Sequence, residues 1–559
     1  MLATIRGDAA GAAVFAEALA LVRSQGIVFD GDLGPLLDSP PPGTDSGALQ
    51  QLRYMFEAGG WVLRESAIAD LPADLRWLYE SGAVTIEQLA SIHSGLGATS
   101  AADLAVEVRR HAIQRIPGLT QAIEEAVAAA LPGLRAATPK ISLGRAVAIA
   151  DPILAGLHEA PGIESITLVG SLRRGHDLIG DIEIVAPAND PTAALDRLVQ
   201  LPDVARVLYR SERRLYLLTD RVQIGVRSPV PGTAGATLLH LTGSNAHLDA
   251  LRRLAGERGW RLEPEGLIES EGATPIAESE EMIYAALGLP WIPPEIRDGA
   301  RAVDLARTGT LSTLVAHSDI RGDLHMHTQW SDGRDSIEAM VGACAALGYE
   351  YLAITDHSPH SAATRNLSAD AVKRQRDEID GLREHYPQLT ILHGCEVDIL
   401  PSGRLDFPDR VLERFDIVLA SLHEHASHAG DQLFQRYLSA MRHPLVTMIT
   451  HPTNRQIPYR KGYDLDYHAL FAAAVETGTV VEIDGAPTHL DLNGDLAHHA
   501  ITAGAMISID SDSHRAEVLE RQMRMGVLMA RHGWVEPRHV LNTRPIAEVR
   551  ALIAAKRGA

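Results

Sequence analysis

Nine side chains able to bind a metal stand at or just past the ends of apolar runs between Asp323 and His514. They are His325 and His327 in DLHMHT, Asp332 in WSDG, His357 in AITDHS, Glu396 in HGCEVD, His423 in ASLHEH, His451 in MITHPT, and Asp512 and His514 in SIDSDSH. Most of these runs read as β-strands, and each offers its ligand at the C-terminal end, where an α/β barrel builds its active site. A single strand-end histidine is ordinary. Sites recurring in order at the spacing of β/α units are hard to produce by chance. Nine hard or borderline ligands exceed the needs of one ion and suit a cluster of two or three, bridged by carboxylates.

Histidine usage agrees: seventeen of the 25 lie between His317 and His514, whereas surface histidines scatter. At 559 residues the chain is too long for one ordinary core and should hold several domains. Its apolar fraction of 46% and charged fraction of 22% are globular values. No run of about eighteen apolar residues occurs, so no membrane span is expected. The opening MLATIRGDAAGAAVF lacks the apolar core of a secretory signal. The two cysteines, Cys344 and Cys395, form no disulfide framework, which suits a reducing cytoplasm. A net charge of −21 argues against non-specific coating of nucleic acid, though not against a local basic groove.

Along the chain, residues 1–140 read as helical, with an amphipathic stretch at GAAVFAEALALVRSQ and a Pro/Gly loop at LLDSPPPGTDSG. LPADLRWLYESG and IPGLTQAIEEAVAAALPGL each place a short turn before a helix, a faint helix-hairpin-helix pattern. A hairpin that grips DNA phosphate needs glycines so that backbone N–H groups can approach. Ala73 and Asp74 fill the first turn, while Gly118 stands in the second. Plain helical packing is the expectation. From about 141 strands alternate with helices, LGLPWIPPEIRDGARA reads as a linker within 291–316, and a β/α alternation follows from 317 to 559.

GSLRRGHDLIGDIEIV sets Gly170 and Ser171 at a strand end and an acidic pair, Asp181 and Glu183, on one face of the next strand. Such a pair can hold a divalent ion bridging nucleotide phosphates, with Ser171, Arg174 and nearby N–H groups on the phosphate oxygens. This region resembles the family X DNA polymerases, with a palm over 141–235 and a thumb over 236–290. LHLTGSNAHLDALRRLA matches that family's nucleotide-side motif at Thr242, Gly243 and Ser244. The resemblance implies binding of DNA and dNTP, with Mg²⁺ or Mn²⁺ at Asp181 and Glu183. The family uses three carboxylates; here the second is Glu183, and the position of the third carries Gln223. A neutral amide cannot help deprotonate a primer hydroxyl, so nucleotide transfer is expected to be weak or absent. No lysine precedes Lys140, so no N-terminal Schiff-base chemistry on abasic sugar is expected either.

Residues 317–559 resemble the PHP family, the polymerase and histidinol phosphatase domain. The whole chain is similar to bacterial family X polymerases that carry a C-terminal PHP domain. The implied fold is multidomain α/β: a helical N-terminal region, a nucleotidyltransferase-like palm and thumb, and a distorted barrel of seven β/α units. By that resemblance one ion takes His325, His327, Glu396 and Asp512, a second takes Glu396, His423 and His451, and a third takes Asp332, His357 and His514. Mn²⁺, Zn²⁺ and Fe²⁺ all suit the set. Ions so held polarise a phosphoester and lower the pKa of an attacking water. Arg455, four residues past His451, is a candidate phosphate clamp or a solvated surface arginine. His489 falls where the family often places arginine, and Glu424 and His425 are candidates to orient ligands. The expected activity is 3′–5′ removal of nucleotides from recessed or gapped DNA in repair. Gap-filling polymerisation and hydrolysis of a small phosphate ester remain the alternatives.

Overall fold

The computed structural model describes residues 9–25, 73–96 and 111–136, short pieces of 36–52 and 104–108, and residues 140–558. Within the last stretch it leaves out 161, 181, 202–203, 205, 220–221, 272, 362–365 and 424–428. The chain forms two compact units, Met1–Pro139 and Lys140–Ala559.

The described elements of the first unit are helices joined by turns. Helices Ala73–Glu80, Ile86–Leu96 and Gln121–Ala136 bury Leu75, Leu78, Leu89, Ile92 and Val127 among themselves. Gly118 has φ +86°, as a tight turn requires. The N–H groups of Ile113 and Gln114 donate to the Glu124 carboxylate at 3.1 and 3.3 Å. An acid, not open space for an anion, therefore faces those two donors.

The second unit begins with a five-stranded sheet. Its strands are β1 (Thr167–Leu168), β2 (Ile182–Val185), β3 (Arg206–Arg210), β4 (Arg214–Thr219) and β5 (Val222–Arg227), in the order β1-β2-β5-β4-β3. β2 and β5 run parallel and the other pairs are antiparallel. Helices Leu143–His158 and Pro191–Val199 bring Ile149, Ile153, Leu195 and Leu198 to Leu215, Leu217, Ile224 and Val226.

A separate core follows, built by helices Ala234–Thr242, Asn245–Glu257 and Glu280–Ala286. The stretch expected to be a linker belongs to it. Ile292, Ile296, Ala302, Val303, Ala306 and Leu314 are buried there, and Arg301–Thr308 is a helix. Its Pro and Gly content hid an amphipathic segment whose apolar side is Ala302, Val303 and Ala306.

Seven parallel strands then pair in sequence order: β6 (Gly322–Asp323), β7 (Tyr351–Ile354), β8 (Thr390–Asp398), β9 (Ile417–Ser421), β10 (Met448–Ile449), β11 (Val480–Asp484) and β12 (Ile507–Asp510). They are buried on both faces, as parallel strands covered by helices are. A parallel bridge between Met326 and Ser513 joins the first strand to the last and closes the barrel. Leu324, Ala353, Leu392, Leu419, Met448 and Val480 cluster with Leu541, Val549 and Ile553. Helix Ile546–Arg557 thus floors the barrel at the N-terminal ends of its strands, where Lys556 Nζ donates to Thr479 Oγ1 and the Arg557 guanidinium to Phe415 O. The opposite end is left to polar side chains.

Candidate metal centre and polymerase-like site

Successive inward positions of one strand run from apolar at the floor to polar at the mouth. On β8 these are Leu392, Gly394 and Glu396; on β11 they are Val480, Glu482 and Asp484. Gly394 has no room for a side chain, since a Cβ there would lie 2.8 Å from both Ile417 Cγ2 and Thr355 Cγ2. Glu396, fully buried, stands at the centre of the mouth. Its Oε2 lies 3.5 Å from both His325 Nε2 and His327 Nε2 and 2.8 Å from His357 Nδ1. Its Oε1 lies 2.9 Å from His451 Nε2 and 3.3 Å from His423 Nε2. Asp512 Oδ1 adds a contact of 3.1 Å to His327 Nε2. Asp332 Oδ1 lies 3.6 Å from His357 Nε2 and 3.4 Å from His514 Nε2. All nine side chains singled out in the sequence meet in this one pocket.

The donor set fits divalent cations. Five imidazoles surround one buried carboxylate, three at one of its oxygens and two at the other, as a bridging ligand requires. Glu396 Oε2, Asp332 Oδ1, His327 Nδ1 and His357 Nδ1 are buried without a hydrogen-bond partner despite these short approaches. His325, His327, Asp332, His357, Asp512 and His514 make up two overlapping groups compact enough to share an ion. Neighbouring acids fix the ring orientations. His325 Nδ1 lies 2.6 Å from Glu482 Oε1, and His423 Nδ1 lies 2.9 Å from Asp398 Oδ1. With Nδ1–H donated to a carboxylate, each ring presents the Nε2 lone pair to the pocket. Asp356 accepts from Thr328 N, Ser331 Oγ and Gln375 Nε2, and so holds the turn that carries Asp332.

The field of the pocket is strongly coupled. Burial alone would lower the His357 pKa, but Glu396 and Asp332 lift it to about 9. Burial opposes the His423 shift too, and Glu396 and Asp398 carry it well above the usual histidine value. Glu396 is held well below the carboxylate range against its own burial by His423, His357 and His325. His451 and Asp512 have φ of +25° and +50°, a left-handed backbone that non-glycine residues adopt at a cost of about 1 kcal/mol or more.

Three neighbours escaped the sequence reading. Glu482 orients His325 and also accepts from His451 N at 2.7 Å. Asp484 Oδ2 lies 2.9 Å from His489 Nδ1, and Asp398 backs His423. The signal was the E-x-D alternation in VVEIDG, acids on the inner face of an otherwise apolar strand. Arg455 is placed differently from a phosphate clamp. Its Nη1 donates to Asp177, in the bend before Leu178–Ile179 of the polymerase-like half, at 2.6 Å, its Nε to His489 O at 2.9 Å, and its Nη2 to Leu490 O. Glu424 and His425 lie outside the described residues.

At the polymerase-like site Gly170, with φ +68°, opens the short helix Gly170–Arg173 that carries Ser171. Arg174 donates to Asp298 Oδ1 at 2.9 Å and to Thr242 O, so those contacts occupy the expected phosphate ligand. Thr242 Oγ1 accepts from Arg173 at 2.7 Å, Gly243 ends one helix and Ser244 caps the next. Asp181 lies outside the described residues. Glu183 lies over Gly225, where a Cβ would come within 2.3 Å of its Oε1. Its Oε2 is 3.5 Å from Arg227 Nε. Gln223, Gly225 and Arg227 alternate on one face of β5, and from that face Arg227 sets a cation beside Glu183.

The DNA polymerase beta thumb family matches residues 237–298, and the PHP domain family matches residues 323–457. A DNA polymerase/3′-5′ exonuclease PolX of Bacillus subtilis (strain 168) is 32% identical over 515 residues, 91% of this chain and 90% of that protein. The chain belongs to the bacterial family X DNA polymerases that carry a C-terminal PHP domain. A probable phosphatase of Syntrophotalea carbinolica is 29% identical over 217 residues, 37% of this chain and 83% of its own length. A solved Leishmania infantum polymerase beta ternary complex overlaps 38% of the chain at 18% identity and a TM-score of 0.27, too low to carry weight. The thumb match extends into the packed stretch after residue 290, and β11 and β12 extend the barrel past the PHP match. Among the described residues no helix is long and apolar enough to cross a membrane.

Proposed function

We propose that this family member is a metal-dependent nuclease that shortens DNA from a 3′ end. Its polymerase-like half holds DNA and transfers nucleotides weakly or not at all. The observation that supports this most is Glu396, one buried carboxylate ringed by His325, His327, His357, His423 and His451. These side chains, with Asp332, Asp512 and His514, would hold two or three ions of Mn²⁺, Zn²⁺ or Fe²⁺. Such ions supply Lewis-acid polarisation of the phosphoester and a more acidic water.

The protein's own groups do the rest. Glu482 and Asp398 keep His325 and His423 in one tautomer and orientation. Asp484 accepts from His489 Nδ1 and turns the other ring nitrogen of His489 toward incoming substrate, in place of an arginine. Arg174 and the Thr242–Ser244 turn join the two ends of the polymerase-like half, which favours a scaffold role over triphosphate binding.

Weak nucleotide transfer rests on Gln223 and on the Glu183–Arg227 pair, since an amide adds no charge and the guanidinium competes with a cation for Glu183. The Bacillus relative's name favours a second reading, in which the chain also fills gaps with dNTPs. One assay separates them: 5′-labelled primer–template with Mn²⁺, with and without dNTPs, for wild type and His325→Ala. A ladder that shortens and is lost in His325→Ala is expected. Extension abolished by Asp181→Ala would overturn the weak-transfer reading. Faster release of phosphate from a sugar phosphate than cleavage of recessed DNA would point instead to a phosphatase. Restoring the acid with Gln223→Asp should raise primer extension at least tenfold over wild type, measured under the same conditions.

A further inference from the structure

A second cluster of possible ligands lies apart from the nine at the barrel mouth. His176 comes from the turn after Gly170–Arg173, Asp298 from the thumb-side core between Ile296 and Ala302, and His532 from the end of helix Leu519–His532. Their ligand atoms all lie within 4.8 Å of one another. His176 Nε2 is 3.0 Å from Asp298 Oδ1, and His532 Nε2 is 3.4 Å from Asp298 Oδ2. The two rings are 4.9 Å apart, tilted by 59°.

Hydrogen placement makes this more than a charged surface knot. His532 Nδ1 touches only carbonyl oxygens, those of Arg174 and Glu295, each at 3.0 Å. It must therefore carry the proton, which leaves a bare lone pair on Nε2 of the neutral ring. That lone pair points at a carboxylate oxygen. His176 Nε2 lies 3.4 Å from an Arg174 N–H, which can only donate, while its other neighbour is again Asp298. Acceptors thus converge on one point. Arg174 Nε holds Asp298 Oδ1 at 2.9 Å, as outer groups hold a ligating carboxylate, and leaves Oδ2 facing His532. The other nearby guanidinium, Arg531, is bound to Glu295 at 2.7 Å.

We propose that His176 Nε2, Asp298 Oδ2 and His532 Nε2 form a separate divalent metal site that staples the turn after Gly170–Arg173 and the thumb-side core to the barrel. Two imidazoles and a carboxylate suit Zn²⁺ or Co²⁺, with a fourth position open to water. The site lies off the barrel mouth, so its metal content is independent of DNA cleavage.

The test uses the full chain loaded with Zn²⁺ or Co²⁺ and freed of excess. Metal content is measured for wild type, His176→Gln, His532→Gln and the barrel variant His325→Ala. Loss of one equivalent is expected in each of the first two variants, with DNA shortening unchanged. His325→Ala should keep the visible Co²⁺ absorption that His176→Gln loses. Zn²⁺ should raise the thermal midpoint of wild type more than that of His176→Gln. If His532→Gln does not fold, His176→Gln, at a site 34% exposed, decides alone. Equal metal content and equal Co²⁺ spectra in wild type and His176→Gln overturn the proposal and leave a proton-bridged His–Asp–His cluster.

Discussion

Glu482 touches no predicted ligand atom that faces the pocket, yet it fixes two of the ligand residues through His325 Nδ1 and His451 N. Removing such a support weakens metal binding without removing a ligand. Glu482→Gln should lower affinity for the loaded metal by roughly 10–100-fold, read by competition with a chelator, while far-UV circular dichroism stays unchanged. The nine candidate ligands were legible because each ends an apolar run and most are histidines. Glu482 and Asp484 were not, because a strand without histidine reads as plain core until its partner strands are known. Arg455's partner was hidden for a related reason: Asp177 stands 278 positions earlier, a distance no local pattern reports.

The thumb element is organised around a buried ion pair. Glu280 receives Arg297 Nη1 at 2.6 Å and Arg173 Nη2 at 2.8 Å, and the Arg297 guanidinium stacks 5.2 Å from the Tyr284 ring. Burial pushes the Glu280 pKa up, but Arg297 and Arg173 bring it down to about 2. The ionised pair thus stabilises the fold fully above about pH 4.5, and that contribution fades as pH falls toward 2. Burial holds the neighbouring His247 at about 3, so its contribution also fades as pH drops below 6.5. Both act in one direction. The fluorescence of Trp260 and Trp291 should report acid unfolding of this element at a higher pH than loss of the barrel's secondary structure. At neutral pH Glu280→Gln should cost about 3–5 kcal/mol, since it strands a fully buried Arg297. The thumb's helical character was readable from LHLTGSNAHLDALRRLA. The packed stretch behind it was hidden by prolines and glycines that sit at its turns and spare its apolar face.

Across the second unit, the polymerase-like sheet and the barrel share buried surface. Helix Leu143–His158 starts against the barrel loop so closely that a Cβ on Gly144 would lie 2.2 Å from Pro487 Cβ. Arg455 and Asp177 clamp the same seam. Arg455→Ala and Asp177→Ala should each lower the thermal midpoint, and a double-mutant cycle should give a coupling of about 1 kcal/mol or more. Were Arg455 a phosphate grip instead, it alone would weaken DNA binding and Asp177→Ala would be silent. The modular order of the chain was visible from its motifs, whereas this seam was not, because it is made by residues whose local sequence carries no sign of each other.

Closure of the barrel has a consequence for how the enzyme is made. Leu324 N donates to Asp510, 186 positions later, and the bridge from Met326 to Ser513 depends on the same meeting of ends. A chain emerging from the ribosome carries His325 and His327 long before Asp512 and His514 exist to complete their cage. Ions acquired early would find only scattered imidazoles, so charging of the metal-binding pocket must follow, not guide, completion of the ring.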